Sequence, residues 1–371
     1  MSAARPPLRR SIEVEYWVVD RTGRLTTPDG LLGSPGVERE FVEPMLEVKT
    51  TPCATSDELR AQLRRRLRTV LIRADEHEKA LVPLGTTLNR EAVAERPGDR
   101  TDIQNRVFGT SFQYVRHCAG THIHVEQQPG RAVDQFNTLV ALDPALALVN
   151  SARYFRGRPL AAGARSVLYR RRAYAGAPRQ GRLWPYLRDR ADWNQRVADC
   201  YEHFRDRAAA AGVSSDALDA HFPRPSPQSA LWTPVQLRKQ FGTVEWRSPD
   251  TALPSHVLRL ADTLASILEQ MTHTEVRIGD PGRVTDRSVV LPSFETLRSH
   301  VDAAIQDGLA SSSVRSYLRR MGFDVSAYDP VVGRRDDPPP VSRAEARSRR
   351  LAAADRLRRD VLDPSPEPED A

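Results

Sequence analysis

The 371-residue sequence is poor in cysteine, and its three cysteines match no familiar motif. Cys53, Cys118 and Cys200 are widely spaced, odd in number and without a CxxC pair. This pattern argues against a zinc site and against a framework of disulfides. We therefore expect three reduced thiols that take no part in the chemistry.

Long apolar runs are also absent. No segment approaches the roughly 20 apolar residues that a membrane helix needs, and the mean hydropathy is −0.52. The first ten residues, MSAARPPLRR, are basic but lack the apolar stretch of a secretory signal. We accordingly expect a soluble, cytoplasmic protein with no membrane partner.

Lysine is nearly missing, although the chain is basic. Only Lys49, Lys79 and Lys239 are lysines among 55 basic residues, and the formal net charge is +7. Such a charge favours an anionic partner. No nucleic-acid motif accompanies the arginine runs at 64–66 and 170–172. A small anionic substrate explains the charge equally well, so we expect no nucleic-acid partner.

The usual nucleotide-binding loops do not occur. We find neither GxxxxGK[ST] nor a GxGxxG that follows a strand. If the protein binds ATP, metal ions must therefore hold the phosphates in place of a glycine-rich loop.

Hydrophobic periodicity predicts four strands separated by mostly helical intervals. The strands are expected at 11–20, 45–50, 121–125 and 243–248, and helices at 55–81, 133–154, 191–211 and 256–276. Thr55 and Glu58 have the spacing of a capping box. Pro144 is expected to kink or split the helix at 133–154.

The C-terminal part has a different composition. Residues 334–341 contain the run DDPPP, which is typical of an exposed linker. A charged helix with few apolar residues is predicted at 343–361, and the final DPSPEPEDA reads as disordered. We expect a catalytic domain at 1–330, followed at 331–371 by a linker and a helical tail.

The predicted strands place ionisable side chains together on one face. Because alternate residues of a strand face opposite sides, Glu13 and Glu15 lie opposite Ile12 and Val14. The same alternation puts these residues on the polar side of the other three strands: Glu47, Lys49, His122, His124, Glu126, Glu245 and Arg247. For a single strand, a solvated face of an antiparallel sheet is a sufficient explanation. Four such strands in succession favour a functional site.

This polar face would carry a large negative charge if the strands are neighbours. Carboxylates within about 4–6 Å raise one another's pKa unless cations lie between them. Oxygen-rich ligation suits Mg²⁺, and an added imidazole also allows Mn²⁺. A guanidinium such as Arg247 beside bound metals suits a transferring phosphate. The pattern therefore predicts metal-assisted phosphoryl chemistry on ATP.

Four segments together resemble a known family. They are IEVEYW at 12–17, EFVEPMLEVKTTPC at 40–53, GTHIHV at 120–125 and GTVEWRSPD at 242–250. In this order they are similar to the glutamate–cysteine ligase type 2 family of carboxylate–amine ligases, which is related to glutamine synthetase. The resemblance spans about residues 10–330.

The resemblance implies an α+β catalytic domain of the glutamine synthetase and guanido kinase type. Its antiparallel β-sheet would be saddle-shaped, with helices on the convex face and ATP, glutamate and two or three Mg²⁺ on the concave face. The implied metal ligands are Glu13, Glu15, Glu40, Glu47, His122 and Glu245, with Glu43 as a competitor of Glu40. His124 and Arg247 would contact ATP phosphates, and Arg165 would face the substrate. The catalytic group would thus be Arg247, Glu245 and Arg165.

The implied reaction joins the γ-carboxylate of glutamate to the amine of cysteine through γ-glutamyl phosphate. No residue matches an amine-binding pocket, so a ligase with another amine acceptor stays open. Two alternatives belong to other classes: a metal-dependent hydrolase that uses His122 and His124, and a non-catalytic nucleotide- or nucleic-acid-binding protein. The oligomeric state has no signal in the sequence.

Overall fold

The computed structural model describes residues 7–331 and 339–363. Its strands are β1 (Arg10–Asp20), β2 (Val37–Arg39), β3 (Met45–Lys49), β4 (Lys79–Val82), β5 (Thr121–Glu126), β6 (Tyr154–Phe155), β7 (Arg158–Pro159), β8 (Val235–Arg238), β9 (Thr243–Trp246), β10 (Glu275–Ile278), β11 (Arg283–Thr285) and β12 (Ser288–Leu291). Its helices are α1 (Ser56–Glu76), α2 (Asp99–Phe108), α3 (Ala132–Ala141), α4 (Ala164–Val167), α5 (Arg190–Ala210), α6 (Ser215–His221), α7 (Pro254–Gln270), α8 (Phe294–Gln306), α9 (Ser312–Arg320) and α10 (Arg343–Leu362).

The main sheet brings the four strands predicted from the sequence side by side. In the described part of the chain it has seven strands in the order β2-β3-β1-β5-β9-β8, and β4 pairs with residues 17–20 of β1. All of its pairings are antiparallel. The molecule is thus a mixed fold of helices and an antiparallel sheet, as expected, and strand β1 lies at the centre of the charged segments.

One face of the sheet is apolar and covered by helices. Ile12, Val14 and Tyr16 of β1 are fully buried there in one core cluster. Helix α1 contributes four fully buried residues to this cluster at helical spacing: Leu59, Leu63, Leu67 and Val70. Each such side chain stabilises the fold by about 1.5–3 kcal/mol through burial. The predicted capping box is confirmed, because Thr55 and Glu58 exchange hydrogen bonds at the start of α1.

Two predicted helices were drawn too long. Helix α1 ends at Glu76, and the residues up to Leu81 enter strand β4, which pairs with β1. Helix α7 ends at Gln270, and Val276 lies in strand β10. In both places an apolar residue of the following strand, Leu81 or Val276, continues the hydrophobic pattern, so periodicity alone could not mark the end of the helix.

Of the other two helix predictions, the one at 191–211 fits the structure closely, and the one at 133–154 is also too long. Helix α5 begins and ends within one residue of its predicted bounds. The helix expected at 133–154 is split as Pro144 suggested: α3 ends at Ala141, and a 3₁₀ segment covers Asp143–Val149. Tyr154, at the predicted end of that helix, belongs instead to strand β6.

Helix α10 packs on the body of the protein. Its buried side chains include Ala346, Ala353 and Leu357, and these join the core clusters of the sheet and its helices. Of the predicted linker, residues 334–338 lie outside the described residues. Val341 is buried beside Ala346, which corrects the expectation that this end of the linker is exposed. The final residues 364–371 also lie outside the described part.

The opposite face of the sheet carries the ionisable residues. Helix α2, the 3₁₀ segment Gly109–His117 and the π-helical turn Leu168–Ala173 lie on this side and leave a cavity over the strands. Among the described residues, no helix combines the length and the apolar character that crossing a bilayer requires.

Candidate functional site

The strand register brings the predicted site residues into adjacent rows. On the central strand β1, Glu13 pairs with Lys49 on one side and with His122 on the other. Glu15 pairs with Glu47 of β3. Further along, His124 of β5 pairs with Glu245 of β9. Residues distant in the sequence thus form one surface, which we call the carboxylate face: Glu13, Glu15, Glu40, Glu47, His122, His124 and Glu245.

The two histidines lie among the carboxylates. The Nδ1 atom of His122 is 3.0 Å from a carboxylate oxygen of Glu13, and its Nε2 is 3.9 Å from Glu15. The Nε2 atom of His124 is 3.7 Å from Glu13 and 3.6 Å from Glu245. Both imidazoles are buried. Burial lowers the pKa of His122, and the cation of Arg247 lowers it further, so His122 is a neutral ring with a lone pair to offer.

Glu47 on β3 and Glu40 in the segment before it have too few neighbouring cations to balance the negative charge around them. Burial raises the pKa of Glu47 to about 8, and the carboxylates of Glu13 and Glu15 add to this effect. Burial, together with Glu15 and Glu47, also raises the pKa of Glu40 well above its ordinary value. Lys49 compensates only in part, with its Nζ 2.8 Å from Glu47. Additional cations would relieve this repulsion.

Glu245 has a different electrostatic environment. Its side chain is buried, which raises its pKa, but the guanidinium of Arg247 and the ring of His124 outweigh burial and bring the pKa to about 2. Arg247 donates to Glu245 directly, and the Nε of Arg238 lies 3.5 Å from its second oxygen. Glu245 is therefore a permanent anion that holds Arg247 at the edge of the carboxylate face.

The carboxylate face has the donor set of a divalent metal site. In three groups of residues, one ligand atom from each member lies within 4.8 Å of the others: Glu13 with His124 and Glu245, Glu13 with Glu47 and His122, and Glu15 with Glu40 and Glu47. The Nε2 atom of His124 is buried without a hydrogen-bond partner. A buried ring nitrogen without a partner is costly, and a metal ion would satisfy it. Glutamate oxygens with one imidazole suit Mg²⁺ or Mn²⁺.

Arg165 approaches the same face from helix α4. Its guanidinium donates to the carbonyl oxygens of Ser248, at 3.1 Å, and Arg247, at 3.3 Å. A Cβ on Gly120 would lie 2.0 Å from the Arg165 guanidinium, so only glycine at the start of GTHIHV permits this approach. Arg165 is thereby fixed next to Arg247, within the cavity over the sheet.

A buried network supports the end of strand β9. Asp143 accepts hydrogen bonds from Arg170 at 2.7 and 3.0 Å and from the indole of Trp246 at 3.0 Å. Ser248 also donates to Asp143. Since Arg247 lies between Trp246 and Ser248, this network fixes its backbone. Sequence reasoning missed Asp143 and Arg170, because nothing in their own segments indicated a contact with β9.

The cavity beside the carboxylate face has a volume of about 310 Å³. It is lined on the sheet side by Glu13, Glu15, Glu40, Glu47, Lys49, His122 and Arg247. On the helix side it is lined by residues that the sequence analysis did not select, among them Arg100, Gln104, Phe112, Tyr169, Tyr174 and Trp232. These come from helix α2, two irregular helical turns and a loop, so no motif could have identified them together.

All site residues predicted from the sequence lie on or beside the carboxylate face, and the structure also bears on Glu43 and Cys118. Glu40 belongs to the carboxylate face, whereas Glu43 neither lines the cavity nor joins a ligand group among the described residues. Cys118 lines the cavity as a buried thiol. Burial raises its pKa to about 12, which disfavours a thiolate and supports an inert role.

Comparison with known proteins identifies similar sequences. The model of glutamate–cysteine ligase family 2 matches residues 4–320. A Rhodococcus jostii protein named "Putative glutamate--cysteine ligase 2-1" is 31% identical over 179 residues, which are 45% of this chain and 48% of that protein. The alignment therefore spans about half the length of this curated relative.

Solved structures share the fold at low sequence identity. A glutamate–cysteine ligase from Francisella tularensis, in complex with AMP, superposes with a TM-score of 0.56 and 12% identity, over 98% of this chain and 91% of that one. A bifunctional glutathione synthetase from Pasteurella multocida gives a TM-score of 0.50 and 14% identity, over 96% of this chain and 50% of that one. Since the family model covers most of the sequence, the chain belongs to glutamate–cysteine ligase family 2.

Proposed function

We propose that the protein is an ATP-dependent ligase that joins the γ-carboxylate of glutamate to the amine of cysteine. The observation that carries the proposal is the carboxylate face with Arg247 at its edge. Family membership and the name of the Rhodococcus relative support the same activity. The proposal includes a saddle-shaped sheet with the substrates on its concave face, a catalytic part at 1–330 and a cytoplasmic location.

The carboxylate face would hold Mg²⁺, or Mn²⁺ as the alternative. The possible ligand groups are Glu13 with His124 and Glu245, Glu13 with Glu47 and His122, and Glu15 with Glu40 and Glu47, as their distances allow. When bound, the ions would supply charge screening and orientation of the ATP phosphates. Glu47 and Glu40 would become fully ionised, because a bound cation favours the charged form that burial and repulsion disfavour without it.

The chain's own cations would act on the transferring phosphate and on glutamate. Arg247 is held by Glu245 and would face the negative charge that develops as the glutamate γ-carboxylate attacks the γ-phosphorus of ATP. Arg165 would orient glutamate through a carboxylate. The products of this half-reaction are γ-glutamyl phosphate and ADP.

The second half-reaction would take place in the cavity. The amine of cysteine attacks the acyl carbon of γ-glutamyl phosphate, phosphate leaves, and γ-glutamylcysteine forms. Aromatic side chains on the helix side of the cavity, such as Tyr169 and Trp232, would exclude water that hydrolyses the acyl phosphate. Positioning and electrostatics supply the acceleration, and no covalent enzyme intermediate is needed.

The test is ADP release with Mg²⁺, ATP and glutamate, in the presence of cysteine, of other amines, or of no amine. We expect cysteine-dependent release and γ-glutamylcysteine in the mass spectrum. Release with a different amine would keep the activation step and change the acceptor. No release from folded, metal-loaded protein would refute the ligase, and product formation from amide substrates without ATP would indicate a hydrolase.

A further inference from the structure

One exposed aromatic side chain lies at the edge of the carboxylate face. Among the described residues, three large apolar side chains are more than half exposed: Ile72, Phe241 and Ile278, at 53%, 56% and 59%. Of these three, Phe241 is the one beside the site, since its ring lies 6.0 Å from that of His124 and nearly perpendicular to it. A single exposed apolar side chain is ordinary at a protein surface, so what distinguishes Phe241 is its contact with His124 of the carboxylate face.

Phe241 is held in a defined position by the hairpin that carries it. The turn between β8 and β9 contains Phe241, and β8 pairs with β9 along its whole length. The guanidinium carbon of Arg238 lies 5.4 Å from the centre of the Phe241 ring. The Nε of Arg238 is also 3.5 Å from Glu245. Arg238 therefore connects the exposed ring to the anion at the edge of the carboxylate face.

The small size of the cavity favours a nucleotide that extends outside it. Pockets that bury drug-sized ligands have volumes of about 300–1,000 Å³, and the cavity of about 310 Å³ is at the lower limit. It would have to admit glutamate and an amine as well as the γ-phosphate. Neither His124 nor Phe241 lines it. Glu245 lies beside His124, and His124 lies beside Phe241. A triphosphate that extends from the cavity along these residues would therefore bring its base to Phe241.

We propose that the adenine ring of ATP stacks on Phe241, and that Arg238 holds the phenylalanine ring in place from one side. This inference rests on the proposed function, because it assumes that ATP phosphates lie on the carboxylate face. An aromatic ring binds a base through its π-face and tolerates any base, so the exposed surface of Phe241 is sufficient for the contact. Since the Nε of Arg238 lies 3.5 Å from Glu245, its guanidinium would also reach phosphates bound at that edge of the carboxylate face.

The experiment compares the dissociation constants of MgATP and of magnesium tripolyphosphate, which has phosphates but no base. Phe241→Ala should weaken MgATP about tenfold, the loss expected for one stacking contact, and leave tripolyphosphate unchanged. Phe241→Trp should retain MgATP affinity, and its fluorescence should change with MgATP but not with tripolyphosphate. Ile278→Ala, at an equally exposed apolar residue, is the control and should bind both ligands as the unmodified protein does.

Two results would overturn the inference while the proposed function stands. The first is unchanged MgATP affinity in Phe241→Ala, and the second is equal weakening of MgATP and tripolyphosphate, which would mean that Phe241 only positions His124. If the unmodified protein binds neither ligand, the proposed function fails and this inference falls with it. Melting temperatures of the variants check that each one is folded.

Discussion

Two regions of the molecule bury ionisable side chains in different ways. Arg350, on helix α10, is 1% exposed, and its guanidinium donates to the carbonyl oxygens of Thr87, at 2.8 Å, and Gly23, at 2.7 Å. It also donates to Asn89 and pairs with Glu91. On the carboxylate face, by contrast, the Nε2 of His124 has no hydrogen-bond partner, and the pKa values of Glu40 and Glu47 are raised.

The difference is between a charge whose partners the protein supplies and a group of carboxylates whose charge it does not balance. A buried charge is stable only when hydrogen bonds and an opposite charge replace the water that it has lost. Around Arg350 the protein supplies all of these itself, and α10 is thereby attached to the loop after β4. The carboxylate face lacks enough positive charge, which a folded protein tolerates at a site that binds a ligand. Substitutions in each of the two regions test the comparison.

The largest effect is expected for Glu245→Gln. This change keeps the shape of the side chain but removes the anion that holds Arg247 and faces His124. We expect ligase turnover at saturating Mg²⁺ to fall about 10³-fold, as for the loss of one electrostatic contact to a transition state. The measurement is ADP release, with circular dichroism to show that the variant is folded.

A matched control is Glu126→Gln. Glu126 lies on the same polar side of β5 as His124, but it is bound at the surface to Arg9 at 2.8 Å. Its turnover should stay close to that of the unmodified protein. Full turnover by Glu245→Gln would contradict the assignment of the site.

The next effect concerns stability at the other region. Arg350→Met keeps the length of the apolar stem but leaves Glu91 without its cation and the carbonyl oxygen of Thr87 without its donor. Removing one member of a buried ion pair costs about 3–5 kcal/mol. We expect a loss of that size in the free energy of unfolding, measured by urea denaturation. A variant as stable as the unmodified protein would show that α10 is not attached through Arg350.

A smaller effect depends on pH in the metal-free protein. The folded-state pKa of Glu47 is raised to about 8 from an ordinary 4.5, so the folded state binds a proton that the unfolded state has lost. This contribution to stability is complete below about pH 4.5 and is lost as the pH rises through 8, with a slope of up to about 1.4 kcal/mol per pH unit. Melting temperatures of metal-free protein should therefore fall between pH 6 and pH 8.

Two further measurements sharpen the pH prediction. Glu47→Gln removes the titrating group and should flatten the slope. Mg²⁺ should stabilise the protein more at pH 8 than at pH 6, because the ion binds the ionised form and competes with the proton. A slope that is unchanged in Glu47→Gln would assign the pH dependence to other groups.

The smallest effect is expected at Arg349, the neighbour of Arg350. Arg349 is more than a third exposed and pairs with Glu345 of the same helix at 2.6 Å. Exposed pairs of this kind contribute about 0.3–0.5 kcal/mol. Arg349→Ala should therefore change the free energy of unfolding by about 0.5 kcal/mol in the urea experiment used for Arg350. A loss comparable to that of Arg350→Met would show that burial does not distinguish the two arginines.

The polar face of the sheet could be predicted because strand alternation is a local property. Glu13, Glu15, His122, His124 and Glu245 follow from the period of two in their strands, and each strand is present in the structure. The capping box of α1 and the break at Pro144 are equally local. Where a helix passes directly into another apolar segment, as before β4 and β10, the pattern did not mark the boundary.

The sequence by itself determined which residues are ionisable, which strands they occupy and which family the segments resemble. Only the tertiary structure decided which strands are neighbours, and hence that His124 lies between Glu13 and Glu245. It also decided the helix-side residues of the cavity and the burial of Arg350. The physical reason is that alternation and capping depend on adjacent residues, whereas pairing, burial and pKa depend on groups that meet only when the chain has folded.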